Sequence, residues 1–421
     1  MRKMAISEMT RQQLCFHCFE VIVPNDTDFA AKNFHKKCLK IAADQNNWEW
    51  FRMAFVKGDD KVVELLLRDE KVDASAMDNL AIRTASQNGH EKVVELLLKD
   101  ERVDPSDCKN YAILAASHNG HAKVVEFLLK DDRVDVSAMD NQAIRTASYY
   151  GHDKVVALLL RDERVNPNDP FFDAIERASA RGHDKVVKLL LKDHRVNPSS
   201  QKKYSAFALA CKDGHDKVAK LLLQDDRVNP NYDDNYAIRE ASRGGHDKVV
   251  GLLLRDERVN PSDLKNEAIR IASQLGRDKV VELLLRDERV NPCDLKNEAI
   301  RIASQLDRDK VVKMLLQDDR VNPSDLKNEA IRIASARGHD KVVELLLRDE
   351  RVNPSDRDNE AIRIASAYGH DKVVALLLQD NRVNPSDRDN EAIQSAFDNG
   401  HSEVVKLFLN DDRIDPSAMI Y

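Results

Sequence analysis

Apolar positions along the chain recur in two alternating arrangements. In the stretch NEAIRIASQLGRDKVVELLLRDERVNPCD, residues 266 to 294, Ala268, Ile269 and Ala272 fall on one face at helical spacing. After an interruption, Val280, Val281, Leu284 and Leu285 form an i, i+1, i+4, i+5 stripe. The pattern predicts two short amphipathic helices joined by a turn. Asn266 reads as the N-cap of the first helix, with acidic Glu267 just inside it, where the helix dipole favours negative charge. Gly276 ends that helix, because glycine accepts the left-handed conformation that closes one. The second helix starts near Asp278, carries Arg289 near its cation-favouring end, and stops at Asn291-Pro292, since the residue before proline is pushed toward extended conformations.

The same phrase fills almost the whole chain. Lys-Val-Val recurs at Lys61, Lys92, Lys123, Lys154 and Lys185, and again at Lys248, Lys279, Lys310, Lys341 and Lys372, a period of 31 residues. One step of 32 leads to the Lys-Val-Ala variant at Lys217, through an extra residue near Ser199 to Lys203, and Glu403-Val404-Val405 closes a series of twelve. A single helix pair cannot bury its own apolar stripe, so neighbouring pairs must stack and share a continuous core. The predicted fold is all-α: a helical-repeat solenoid of about twelve helix pairs over residues 48–421, preceded by a small module at residues 1–47. At about 8–10 Å between packed helices, twelve pairs would span on the order of 100 Å.

Within this frame, Gly245-His246-Asp247-Lys248-Val249-Val250-Gly251-Leu252-Leu253-Leu254 resembles the G-H-x-x-V-V-x-L-L-L second helix of ankyrin repeats, and Val259-Asn260 with Asp263 is similar to the loop that leads to the next pair. The resemblance covers about residues 48–421. It implies an ankyrin-like array that binds a partner protein on a concave face made by loop tips and first helices, with no catalysis. The repeat is shorter than the usual 33 or so residues. Ala268-Ile269-Arg270 stands where T-P-L-H would, which leaves the form of the projecting hairpin open. Two copies also alter the turn between helices: Gly276-Arg277 replaces Gly-His, and Asp307-Arg308 removes the glycine as well.

Composition narrows the function. Charged residues make up 33% and aromatics 5%, with a net charge of −7. Residues 1–47 carry seven Lys and Arg against five Asp and Glu, so the whole acidic excess lies beyond residue 47, no broad basic face is on offer for phosphates, and nucleic acid is not the expected partner. No stretch approaches the roughly 18–20 consecutive apolar residues of a membrane helix, and MRKMAISEMTRQQ lacks a signal-peptide core. The six cysteines do not form a disulfide framework and are expected to be reduced, in a cytoplasmic or nuclear setting. No P-loop, nucleophile elbow or paired-carboxylate constellation appears, so neither an enzyme nor a small-molecule substrate is expected, and the array is expected to act as a monomer. The histidines after the turn glycines, such as His90, His121, His152 and His183, recur once per unit and are too far apart to share a metal. They read as structural. Cys211 takes the slot of Ser242 and Ser273 and reads as a small helix residue.

Differences between repeats point to where a partner would dock. Tyr149, Tyr150, Phe171, Phe172, Tyr204, Tyr232 and Tyr236 crowd successive central units, whereas residues 237–367 contain no aromatic. Tyrosine is a common interface anchor, which places a candidate hot spot at about residues 139–245 with Arg239 and Arg243 beside it. The alternative is that the central units have simply drifted, and Phe207 reads as a core replacement for isoleucine. Glu267, Glu298, Glu329 and Glu360 each precede an arginine by three residues, the spacing of a helix-surface pair, and predict a self-paired, solvated face.

The first 47 residues carry different chemistry. Cys15-x2-Cys18 and His35-x2-Cys38 present two close pairs of soft ligands, matching the closed Cys3His shell of one structural zinc ion. The other reading is three cysteines buried in a small apolar segment. The same four residues resemble the ligands in the first half of a LIM-type zinc finger, although Ile41 stands where the next LIM cysteine would be. A segment this short rarely builds its own core, and metal would fold it. Trp48, Trp50, Phe51 and Phe55 would then fill the gap where a preceding repeat would pack. Such a module either caps the array or recruits a second protein, as in an adaptor of a ubiquitin-ligase-type assembly. At the far end Phe397 and Phe408 are expected to enlarge the last core.

Overall fold

A computed structural model of the protein describes residues 48–68, 70, 72–168, 173–199 and 205–414. The zinc candidates Cys15, Cys18, His35 and Cys38 lie outside the described residues, as do Phe171, Phe172 and Tyr204 and the side chains of Trp48, Trp50 and Phe51. Among the described residues there are twenty-four helices and no strand, in twelve consecutive pairs from Trp48–Lys57 with Asp60–Leu67 to Asp387–Asp398 with Ser402–Leu409. They fall into two compact units. One runs to Ala178 and includes Lys185–Val196; the other comprises Ser179–Asp184 and everything from Asn197 onward.

Each unit is a two-layer stack. In the first, Ala76–Asn88 packs on Asp107–His118, which packs on Ala138–Tyr150, while the second helices Asp60–Leu67, Glu91–Leu98, Ala122–Leu129 and Asp153–Leu159 form the other layer. In the second unit the same order runs from Tyr232–Gly244 through Asp263–Gln274, Asp294–Gln305, Asp325–Ala336 and Asp356–Ala367 to Asp387–Asp398. The core is the predicted stripe apart from Leu285, which is only half-buried: Ala268, Ile269, Ala272, Val280, Val281 and Leu284 are all buried, with the loop residue Val290 beside them. Phe207 is buried in the isoleucine column, and Phe55 and Phe408 are buried in the first and last pairs. Phe397 departs from expectation, being 63% exposed: it occupies the column of Ser366, which is buried.

Among the described residues the loops between repeats contain no projecting β-hairpin. Instead nine of the first helices are entered through three consecutive non-glycine residues in the left-handed region, as in Leu264 (φ 49°), Lys265 (φ 58°) and Asn266 (φ 56°). The same turn recurs at Met77-Asp78-Asn79, Cys108-Lys109-Asn110, Met139-Asp140-Asn141, Asp233-Asp234-Asn235 and in the four later repeats. Left-handed helical geometry costs an L-residue about 1–2 kcal/mol, so the turn must be held by its surroundings. Two groups hold it. Arg270 folds back, its Nε and Nη2 donating to the carbonyls of Lys265 and Leu264 at 3.0 and 3.1 Å. Asn266, buried, reaches into the next repeat: its Oδ1 accepts from the Asn291 amide at 2.7 Å and its Nδ2 donates to Asp294 Oδ2 at 2.7 Å. The expected N-cap role of Asn266 is therefore corrected. Its own backbone is left-handed, so the right-handed helix begins after it and its amide is free to tie two repeats together.

A second tie closes the other side of each repeat. Arg289 chelates Asp287 through Nε and Nη2 at 3.0 and 2.7 Å, while Nη1 donates to Val259 O at 2.9 Å and Nη2 to Leu254 O at 2.6 Å. Leu254 is the last residue of the preceding second helix, whose terminal carbonyls have no partner within it. Arg289 was expected to serve the end of its own helix; it serves the end of its neighbour's. Arg102, Arg164, Arg195, Arg258, Arg320, Arg351, Arg382 and Arg413 make the same contacts with the residues 30 and 35 positions earlier.

The histidines form a third tie. A carbonyl only accepts, so the contact of His401 Nε2 with Ala367 O at 3.1 Å requires an Nε2–H donor, and the ring lies against the left-handed turn glycine Gly369 of the preceding repeat. A Cβ at Gly369 would lie 2.5 Å from His401 Nδ1. Arg277 and Arg308 explain the two altered turns: their Nε atoms replace histidine and donate to Arg243 O at 3.1 Å and Gln274 O at 3.2 Å.

Two consequences are measurable. Asp307 sits at φ 56° in the glycine slot, with Oδ1 3.8 Å from His339 Nδ1. Asp307→Gly, which relieves a non-glycine residue of this left-handed conformation, should raise the thermal midpoint by about 1–2 °C. A calorimetric midpoint that is unchanged or lower would contradict this account of the turn. The second concerns acid. The guanidinium bonded to each of Asp100, Asp131, Asp162, Asp193, Asp225, Asp256, Asp287, Asp318, Asp349, Asp380 and Asp411 holds its carboxyl below the usual carboxylate range. A carboxyl whose folded pKa is depressed stabilises the fold above its unfolded value, roughly pH 4, and loses that contribution as pH falls through the folded value. Melting followed by circular dichroism should show a nearly level midpoint from pH 7 to about pH 5 and a steep fall below about pH 4. Equal midpoints at pH 6 and pH 3 would refute it.

Candidate protein-interaction surface

The repeats whose left-handed turn is described offer two kinds of outward side chain near the first helix: the first residue of that turn, and the residues at the helix end just before the turn to the second helix. The first points away because the turn is fixed through its third residue, Asn, and through its backbone carbonyls. The second lies where the helix runs out of neighbours to pack on.

In the first unit, Tyr149 and Tyr150 end the helix Ala138–Tyr150. Tyr150 is 46% exposed and Tyr149 half-buried. Their rings meet edge to face with centroids 4.9 Å apart, and His118 of the preceding repeat lies 4.4 Å from Tyr150. His152, stacked on Tyr150 at 6.1 Å, contacts the His118 carbonyl at 2.9 Å. The result is a supported aromatic ledge whose outer ring stays accessible, the arrangement that makes tyrosine effective at interfaces.

In the second unit the predicted residues divide. Tyr232 is exposed at the entry to the turn. Arg243 is half-exposed and pairs with Glu240 at 3.1 Å. Tyr236 is only 8% exposed and stacks under Arg239, whose guanidinium lies 5.7 Å from the ring centroid. Arg239 itself is engaged: Nε and Nη2 donate to the carbonyls of Asp234 and Asp233 at 3.1 and 2.9 Å, and Nη1 meets Glu267 Oε2 at 2.8 Å. Tyr236 and Arg239 thus serve the stack, while Tyr232 and Arg243 face outward. Tyr149 and Tyr150 belong to one unit and the other four to the second, so each set stands as a surface of its own.

The Arg239 contact also revises the charged face. Glu267 does not pair with Arg270, three residues on, but with Arg239 of the preceding repeat. Arg332–Glu360 and Arg363–Glu391 repeat this at 2.8 Å, and Arg270–Glu298 and Arg301–Glu329 complete a ladder between repeats. The cause is the fold-back of each arginine onto its left-handed turn, which directs the remaining Nη1 toward the neighbour. The face is self-paired as expected, through different partners.

Burial pushes the Cys211 thiol up, and it is fully enclosed in the serine column, which suits a packing role. Among the described residues no group of three or more His, Cys, Asp or Glu side chains is placed to hold a metal ion, and no helix is long and apolar enough to cross a membrane. The residues that sequence reasoning missed are the apolar turn tips: Met77, Met139, Leu264 and Leu295 are all exposed. An apolar residue recurring every 31 positions inside an otherwise polar loop was the available signal.

Comparison with known proteins supports the same reading. A family model described as ankyrin repeats, in three copies, matches residues 82–169, 175–263 and 330–419, more than half of the chain. No curated protein matches it. Helix pairs stacked through a shared core, a glycine-histidine turn in most repeats and a model match of this extent lead to one conclusion: the chain belongs to the ankyrin repeat family.

Proposed function

We propose that this protein is a non-enzymatic scaffold that binds a partner protein through the turn tips and first helices, the surface that forms the concave face of ankyrin arrays. Ankyrin repeats are in general protein-interaction modules. The observation that carries the reading is the contrast between engaged and free side chains. Arginine, asparagine and histidine near the first helix are tied to neighbouring repeats, whereas Met77, Met139, Tyr150, Tyr232 and Leu264 stand exposed at tips and helix ends. Exposed apolar and aromatic side chains gathered at tips and helix ends mark an interaction surface in each unit.

Site-specific photo-crosslinking tests this. A photoreactive residue at position 150 or 232 of the full chain should yield discrete protein adducts in cells, and one at Lys279 on the second-helix layer should not. Equal adduct patterns from all three positions would overturn the assignment of the binding face.

The spacing of Cys15, Cys18, His35 and Cys38 supports a second element of the proposal, one structural zinc ion that folds the first 47 residues. The purified full chain should carry about one equivalent of zinc, and a Cys15→Ser, Cys18→Ser double variant should lose it, as read by elemental analysis. A stoichiometry near zero in the unsubstituted protein would exclude the site. With the ion in place, this module either caps the array or contacts a second protein, and the latter makes the chain an adaptor of a ubiquitin-ligase-type assembly.

A further inference from the structure

Three successive turns in the second unit carry the same sequence, Asp-Leu-Lys-Asn, at residues 263–266, 294–297 and 325–328. Leu264 and Leu295 are 46% and 39% exposed, Leu326 is half-buried, and the lysine after each is exposed. These lysines differ from the other cations around them. Arg270, Arg301 and Arg332 are engaged with turn carbonyls and with the glutamates of the next repeat. Among the described residues no carboxylate lies within ion-pair distance of Lys265, Lys296 or Lys327. The aspartates of the same turns look the other way: Asp263, Asp294 and Asp325 accept from the asparagine amides of the preceding repeat.

The stripe has ends. On one side the equivalent turn is Asp233-Asp234, and on the other it is Arg357-Asp358, where Asp358 is paired with Arg388 at 2.8 Å. Three apolar tips with three uncompensated positive charges therefore form one row, one step per repeat.

The step size selects the partner's conformation. Packed helices stand about 8–10 Å apart, so successive tips are separated by roughly that distance. A polyproline-type extended chain advances about 3.1 Å per residue with three residues per turn, so residues i, i+3 and i+6 share one face about 9 Å apart. A β-strand puts i and i+3 on opposite faces, and its nearest same-face steps are about 7 and 13 Å. An α-helix would need i, i+7 and i+14 at about 10.5 Å, which overshoots cumulatively along the row.

We propose that Leu264, Leu295 and Leu326, with Lys265, Lys296 and Lys327, form a docking stripe for an extended acidic segment of a protein partner that presents an apolar side chain at every third residue and carboxylates between them. The proposal rests on the protein-binding reading above and deepens it by naming the partner's chemistry. The leucines supply apolar contact area, and the lysines exclude basic segments and favour acidic ones.

The test uses the folded full chain and fluorescently labelled synthetic peptides read by polarisation. One peptide has leucine at every third residue, with proline and glutamate between. The others are a permutation of the same composition without that period, an oligoglutamate, and an oligodeoxythymidine of similar length as a polyanion of another class. The period-three peptide should bind at least about ten-fold more tightly than any of the others. Leu295→Ser and Lys296→Glu should each weaken it about ten-fold, and only the lysine variant should reduce its salt dependence. Both residues are exposed, so the variants should melt as the parent does. Equal binding of the permuted peptide, the oligoglutamate or the oligodeoxythymidine would overturn the proposal, as would no binding of the period-three peptide or indifference to Leu295→Ser. The general reading fails separately: if crosslinking at positions 150 and 232 still captures protein on the tip face, scaffold function stands and only the stripe is wrong.

Discussion

The structure depends on satisfying backbone groups that short helices leave unpaired. Most second helices are eight residues long, so half of their carbonyls lack an intrahelical acceptor role. Buried without partners, such groups would cost more than the helix gains. The repeat solves this with side chains from the next copy. Arg289 donates to Leu254 and Val259, and His401 to Ala367, while in the opposite direction Asn266 accepts from the amide of Asn291 in the loop that follows it. Each repeat completes the hydrogen bonding of the one before it, in addition to covering its apolar stripe. Stability of this kind belongs to interfaces rather than to single repeats, as expected of a quasi-one-dimensional array.

This arrangement also makes an unusual turn affordable. Three successive left-handed residues without a glycine would be unfavourable in an isolated peptide. Here the third residue is held at both ends of its amide, and the first two have their carbonyls bound by an arginine from the following helix. The turn persists because its surroundings over-determine it. Its geometry in turn places the first residue outward, whatever that residue is: Met77, Cys108, Met139, Leu264, Leu295 and Arg357 all occupy it.

How much of this was legible in the sequence follows from the range of each interaction. The helix pairs, their stripe and their number could be read directly because periodicity is a property of one chain segment compared with the next. Val280, Val281 and Leu284 had to be buried together, and they are. The readings that needed correction share one feature. Asn266, Arg289 and Glu267 were assigned to their own helices by rules for residues three or four apart, whereas their partners lie 25 to 35 positions away. Tyr236 looked like an anchor because it is aromatic and is inward because Arg239 covers it. The left-handed turn carried no local signal, since Leu-Lys-Asn contains no glycine. What holds it is again a neighbour.

The division between bonded and unbonded positions then accounts for where the repeats differ. Substituting an arginine or asparagine of the ties would unpair groups in two repeats at once, and these positions recur with little change along the array. The turn tip and the helix end are not among the positions that make the three recurring ties, so Met, Cys, Asp, Leu and Arg interchange at one and Tyr, Gly, Leu, Arg, Asn and Asp at the other. A fold built this way separates the residues that hold it together from those that can recognise something else. Diversity at the tips costs the stack little because the left-handed turn is fixed by its third residue and its backbone. Recognition can therefore vary from repeat to repeat while the geometry that presents it stays the same.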